Sequence, residues 1–241
     1  ILHTECAAQA KGGRGHVHID DAAAMKRRAS EESWSTEMLC LRPSREHAVF
    51  PEFDPAIHIA DLPDPAPDSC EWLGAIDFGI RAPTVILWAH HAMDGVLRIL
   101  DMASRTDATL DRHADAILGH DRWPMPAWIG ADPAGHGRSD QTGRSSIAHL
   151  QSRGLAVRAR RASLPMSIDL VRRRLRPAHN PGTPRILVHP RCRDLIEALQ
   201  KHHYPDHDPR SLEPVKDGTD HAIDALRYLV LNLDCPQLSR M

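Results

Sequence analysis

Trp72-Leu73-Gly74-Ala75-Ile76-Asp77 opens a change of pattern that is followed at once by the apolar runs Thr84 to Trp88 and Val96 to Leu100. Three short apolar segments in such quick succession read as strands. The Asp94-Gly95 pair between the second and third is a hairpin signal, which makes that pairing antiparallel. Further along, Leu110, Ala114, Ile117 and Leu118 recur at helical spacing within 107–119. Ala127 to Asp132 then reads as a short buried strand, and a glycine-rich loop runs on to Gly143. Helix signals follow near 145–153, 168–175, 191–201 and 219–233, with strand signals at 155–157 and 185–188. Three antiparallel strands followed by alternating helices and strands predict an α/β fold: a mixed central sheet, antiparallel and then parallel, flanked by helices on both faces. Trp72, Trp88 and Trp128 fall in these strands and are expected in the core.

Upstream of Glu71 the chain is poor in strand-like runs, and it ends in Asp61-Leu62-Pro63-Asp64-Pro65-Ala66-Pro67-Asp68, which reads as a linker. Residues 21–34 have helix-forming composition with Lys26, Arg27 and Arg28. The expected organisation is therefore an attached segment over 1–70 and a single catalytic domain over 71–235. A start at Ile1 rather than Met reads as a fragment of a longer chain. The net charge of −2 over 241 residues does not by itself mark a nucleic-acid binder, so any such contact must come from local basic patches. Five scattered cysteines without a CxxC pair argue against a zinc ribbon and a disulfide scaffold, and fit a reducing cytoplasm. No apolar run approaches the ~20 residues needed to cross a bilayer, and no signal peptide is evident.

The chemistry is expected from aspartates. Asp77 and Asp132 each end a predicted strand, and carboxylates at neighbouring strand tips can converge. Asp220 and Asp224 are four residues apart in the last predicted helix and share one of its faces. Hard divalent cations choose oxygen ligands, and two of them about 3.5 to 4 Å apart stabilise both the attacking and the leaving oxygen of a phosphodiester. Each aspartate alone is more simply a cap at a strand or helix end; the set in this order is what points to a metal site.

In that order, Ile76-Asp77-Phe78-Gly79, Gly130-Ala131-Asp132-Pro133-Ala134-Gly135 and the closing Thr219-Asp220-His221-Ala222-Ile223-Asp224-Ala225-Leu226-Arg227-Tyr228 resemble the nuclease domain of phage terminase large subunits. The stretch from Trp34 to Asp54 also looks like the segment that joins the packaging ATPase to its nuclease, so the resemblance covers about Trp34 to Leu233. It implies a ribonuclease H-like fold, two Mg²⁺ or Mn²⁺ ions, and cleavage of double-stranded concatemeric viral DNA in a bacterial host. It implies further that Asp77, Asp132 and Asp220 are catalytic metal ligands, with Asp224 a fourth or supporting carboxylate. The implied partners are DNA, the ATPase domain, the small terminase subunit and the portal, with no membrane. No phosphate-loop motif G-x-x-x-x-G-K-[ST] occurs in the chain, so no ATPase activity is expected of it. Alternatives are a junction resolvase or transposase-like nuclease of the same fold, and an inactive prophage remnant that docks or holds DNA.

Between Arg153 and Arg176 there are eight arginines against one acid, Asp169. Such an excess suits a phosphate backbone as well as a solvated helix face. Arg158, Arg160, Arg161, Arg172 and Arg173, with Arg138 in the glycine-rich loop, are the candidate DNA contacts. Lys216 is a candidate for the scissile phosphate, or an exposed loop lysine. His221 reads as an orienter of the carboxylates or as an exposed helix-start residue. His202, His203 and His207 near Cys192 match no standard zinc spacing.

Overall fold

Cys70–Asp77 (β1) is flanked by strands on both sides and covered by helices above and below, which is why every residue from Trp72 to Asp77 is buried. In this computed structural model the described residues are Lys26, 47–63, 70–79, 82–137, 145–176, 184–205 and 211–235. The chain divides between Ala48 and Val49 into two units, and the sheet and its helices belong to the second.

β1 pairs antiparallel with Thr84–Ala92 (β2), which pairs antiparallel with Leu97–Arg105 (β3). Trp128–Ala131 (β4) lies parallel to β1, Val157–Arg158 (β5) parallel to β4, and Ile186–Val188 (β6) parallel to β3. The sheet order is β5-β4-β1-β2-β3-β6. This is the mixed sheet expected from the sequence. At the β2–β3 hairpin Gly95 has φ +77°, a conformation that glycine adopts without steric cost. There Asp94 Oδ1 accepts from the Val96 amide at 2.9 Å.

Alternation along the strands sorts side chains to two cores. Leu73, Ala75, Val85, Leu87 and Ile99 face Leu164–Leu175 (α4), Arg193–Lys201 (α5) and Asp220–Asp234 (α6). Trp72, Ile76, Ile86, Trp88 and Leu100 face Leu110–Leu118 (α2), Ser146–Ser152 (α3) and Trp123. Trp72, Trp88 and Trp128 are buried as expected. A short helix, Pro55–His58 (α1), lies in the stretch before β1. Val49, Phe50 and Phe53 of that stretch are buried in the first core, and Ile59 bridges Val188 at the β6 edge.

Three boundaries differ from expectation for a local reason. α4 starts at Leu164 rather than near Ile168, because Ser163 caps it by accepting from the Met166 amide and Pro165 sits in its first turn, where proline needs no donor. β2 and β3 each run four or five residues past the apolar stretch, since their far ends carry polar side chains such as His90, His91, Ser104 and Arg105.

Candidate active site

The strand register brings the first two acids together. Ile76 lies opposite Ala131 across the parallel β1–β4 pair, so the next residues, Asp77 and Asp132, occupy matching positions at the strand tips. The two-residue period gives Asp77 the orientation of Leu73 and Ala75, toward α6. Asp132 has the same parity as Trp128, in the same core. Asp132 also caps the 3-10 turn Pro133–His136, its Oδ1 accepting from the Ala134 amide at 2.8 Å.

α6 supplies the other half. Its backbone crosses β4 so closely that a Cβ on Gly130 would lie 2.6 Å from the Tyr228 carbonyl oxygen. That contact seats the first turns of α6 over the strand tips. His221 Nδ1 lies 2.9 Å from Asp77 Oδ2, and Asp77 is only 6% exposed. Asp224, one turn after Asp220, pairs with Arg227, whose Nε donates to Ser167 Oγ on α4 at 2.9 Å. Asp220 Oδ1 accepts from the Gly218 amide at 3.1 Å, where Gly218 has φ +94°.

The charges report the same convergence. Burial pushes the Asp77 carboxyl up to about 6; the His221 hydrogen bond opposes the rise, and the charges of Asp224 and Asp132 add to it. Asp224 is also raised, by burial first, against the pull of Arg227 and with help from Asp220. The Tyr228 phenol is raised by burial and by Asp224, Asp132 and Asp77. Three carboxylates thus act on one tyrosine, and Asp224 is the α6 carboxylate that acts most on Asp77.

An all-oxygen, mutually repelling donor set fits a hard divalent cation. Among the described residues, however, no three His, Cys, Asp or Glu side chains converge closely enough as placed to hold an ion. Asp77 is turned to His221 and Asp224 to Arg227. Each of these carboxylates thus has one oxygen engaged by a partner within the protein.

The arginine excess is divided among several tasks. Arg160 and Arg161 line a groove of about 460 Å³ together with Asp132, Ser167, Arg227 and Tyr228. Arg160 Nε is buried there with no hydrogen-bond partner among the described residues. Arg158 stacks over the Trp128 ring, 4.5 Å from its centroid. Arg172 donates to Glu52 at 2.9 Å, and Arg173 pairs with Asp169 one helical turn away at 2.6 Å. Arg174 is buried against Asp234, and Arg153 bridges Asp111 and Asp115. Lys216 is exposed in the loop before α6. Arg138 and His207 lie outside the described residues, while Cys192 is fully buried and its thiol is pushed up to about 12 by burial. Sequence reasoning gave no role to Arg227, Tyr228 and Ser167, although the first two stand inside the closing motif.

No protein-family model and no curated protein matches the chain in sequence. Solved structures do match. The large terminase of a thermophilic bacteriophage is 16% identical, with a TM-score of 0.63 over 98% of this chain and 60% of that one. This chain thus spans about 60% of the length of that terminase. The nuclease domain of the P22 large terminase is 17% identical, with a TM-score of 0.58 over 75% of this chain and 89% of that one. The large terminase nuclease of thermophilic phage G20c with bound magnesium is 17% identical, with a TM-score of 0.54 over 77% of this chain and 97% of that one. Likeness at this level of identity establishes the fold, and the chain has the ribonuclease H-like fold of a large terminase nuclease domain.

Proposed function

We propose that the chain is a divalent-metal-dependent endonuclease that cuts double-stranded, concatemeric viral DNA during phage genome packaging. The observation that carries this reading is the register match of Asp77 and Asp132 on adjacent parallel strands, with the acidic first turns of α6 laid over them. Asp77, Asp132 and Asp220 are the proposed catalytic ligands of two Mg²⁺ or Mn²⁺ ions, with Asp224 a fourth carboxylate. G20c nuclease structures with bound magnesium and with bound zinc support a divalent ion in this fold.

When bound, the ions supply Lewis acidity and an activated water for in-line attack. The protein's own part is positional. β1 and β4 fix the spacing of Asp77 and Asp132, and His221 holds the Asp77 carboxylate by its Oδ2 until it is needed. The groove beside Asp132, walled by Arg160 and Arg161, offers cations to the phosphates of a strand leading to the acids. Lys216 in the exposed loop before α6 is a proposed phosphate contact, and Arg158 a further backbone contact.

The proposed partners are duplex DNA, a packaging ATPase domain, the small terminase subunit and the portal, in the host cytoplasm. Among the described residues no helix is long and apolar enough to cross a membrane. Neither a junction resolvase nor an inactive remnant is favoured by any feature of the site. The test is a plasmid-nicking assay in Mg²⁺ or Mn²⁺. Wild type is expected to cut and Asp77→Ala to leave the plasmid intact; equal cutting by both overturns the assignment.

A further inference from the structure

Arg227 is a cation set into the wall of an acidic site. It lies on α6 three residues after Asp224 and is only 9% exposed, yet it lines the same groove as Asp132, Arg160 and Arg161. Its guanidinium is held at two ends. Nε donates to Ser167 Oγ on α4 at 2.9 Å, and Nη1 donates to Asp224 Oδ1.

We propose that Arg227 is an exchangeable internal counter-ion, which neutralises Asp224 and yields that carboxylate when a divalent ion binds. This rests on the metal-site reading above. Buried carboxylates this close together either take up protons or keep a positive charge beside them, and at Asp224 the positive charge is in place. Arg227 is the cation in direct contact with the Asp224 oxygen. While that oxygen points at Arg227 and the Asp77 oxygen points at His221, no three acids share a point among the described residues. The two-ended grip makes exchange feasible. The Ser167 bond anchors Nε to α4, while the Nη1 end lets go and stays among the groove cations Arg160 and Arg161. Metal binding then also adds positive charge to the wall along which a DNA strand would run. A purely structural arginine, clamping α4 to α6, would keep its Asp224 contact whether or not the ion is there.

The experiment compares Mn²⁺ affinity by calorimetry for wild type, Arg227→Met and Arg227→Lys, each checked for native circular dichroism. Removing the competing cation is expected to tighten Mn²⁺ binding by about tenfold, within the usual range of coupling between two ligands. Arg227→Lys, which keeps a competing charge, is expected to stay near wild type. Unchanged or weaker binding by a folded Arg227→Met overturns the proposal. Should that variant not fold, wild type decides alone. Its Arg227 Nε–H resonance, assigned by through-bond correlation, is expected to shift on Mg²⁺ titration with the affinity calorimetry gives; an unmoved resonance overturns the exchange. A wild type that cuts DNA while this resonance stays still loses the exchange and keeps the nuclease. One that binds no divalent ion, with Arg227→Met equally ion-free, loses both.

Discussion

His221 Nδ1 reaches Asp77 Oδ2 at 2.9 Å across 144 residues of chain. That one bond ties the central strand to the last helix and sets a buried carboxylate against an imidazole. Its consequences can be measured without any substrate.

Asp77 is ionised at neutral pH only at a cost, because its folded-state value of about 6 lies above its ordinary 3.8. The folded protein therefore holds the proton more tightly than the unfolded chain does. Stability is fullest below about 3.8 and falls as pH rises through about 6, so above 6 the whole cost is present. The rise corresponds to roughly 3 kcal/mol at most. In EDTA, Asp77→Asn is expected to be more stable than wild type in urea melts at pH 7.5, by up to that amount, with the gain gone near pH 4. The variant should cut no DNA. Mg²⁺ should raise the wild-type melting temperature and leave that of Asp77→Asn unmoved. A variant equally destabilised at both pH values contradicts this account of Asp77.

Gly130 sets how near α6 can come to the strand tips. A Cβ added there would meet backbone, the Tyr228 carbonyl at 2.6 Å, which cannot swing aside as a side chain can. Gly130→Ala should therefore cost about 1–3 kcal/mol, the usual penalty of overpacking, and weaken Mn²⁺ binding by shifting α6. Gly74→Ala is the control. Its closest approaches would be to side-chain atoms of Ile129 and Pro126, at 3.2 Å, and its effect on metal affinity should be slight. Equal loss of metal affinity in both variants would detach α6 placement from the site.

These features divide sharply by how much of them a linear sequence carries. Asp77 and Asp132 are legible because each ends an apolar run, and the pairing of Asp94 with Gly95 announces the hairpin that fixes the sheet's antiparallel half. Asp224 and Asp220 are legible as a pair, but not which of them acts on Asp77, since that depends on how α6 is rotated against β4. The close approach of α6 at Gly130 is likewise a fact of three dimensions. The arginines are the clearest case of missing information. The eight arginines from Arg153 to Arg176 look alike in the sequence, whereas in space Arg174 is 3% exposed against Asp234, Arg172 and Arg176 hold Glu52, and Arg160 and Arg161 line the groove. A charge's role is set by the acid it meets, which comes from a distant element.

That division has a direct test. Arg160→Gln and Arg161→Gln together should lower affinity for duplex DNA in Ca²⁺ and reduce the salt dependence of binding by about two counterions, one per lost phosphate contact. Arg174→Met should leave that salt dependence alone and cost about 3 kcal/mol or more, because it strands Asp234 and the carbonyls of Gly95 and Arg185. Arg173→Ala, at an exposed pair with Asp169, should cost about 0.5 kcal/mol or less. Fluorescence anisotropy over a salt series and urea melts measure both halves; a DNA salt slope that moves with Arg174 and not with Arg160 and Arg161 would place the DNA elsewhere.

The stretch before β1 belongs energetically to the sheet domain from Val49 onward. Val49, Phe50 and Phe53 are at most 3% exposed within the core shared with α4, α5 and α6, and the Val49 amide donates to the His202 carbonyl at 2.9 Å. Glu52 receives Arg172 and Arg176, and His58 Nε2 donates to the Leu175 carbonyl at 2.8 Å. Losing one buried Phe costs about 3–5 kcal/mol, and a domain has only about 5–15 kcal/mol in all. A protein trimmed to residues 49–241 is therefore expected to melt cooperatively and bind Mn²⁺, whereas one trimmed to 71–241 should lack a cooperative transition. If 71–241 melts as steeply and as hot as 49–241, the upstream stretch is a passive tether that adds nothing to the stability of the domain.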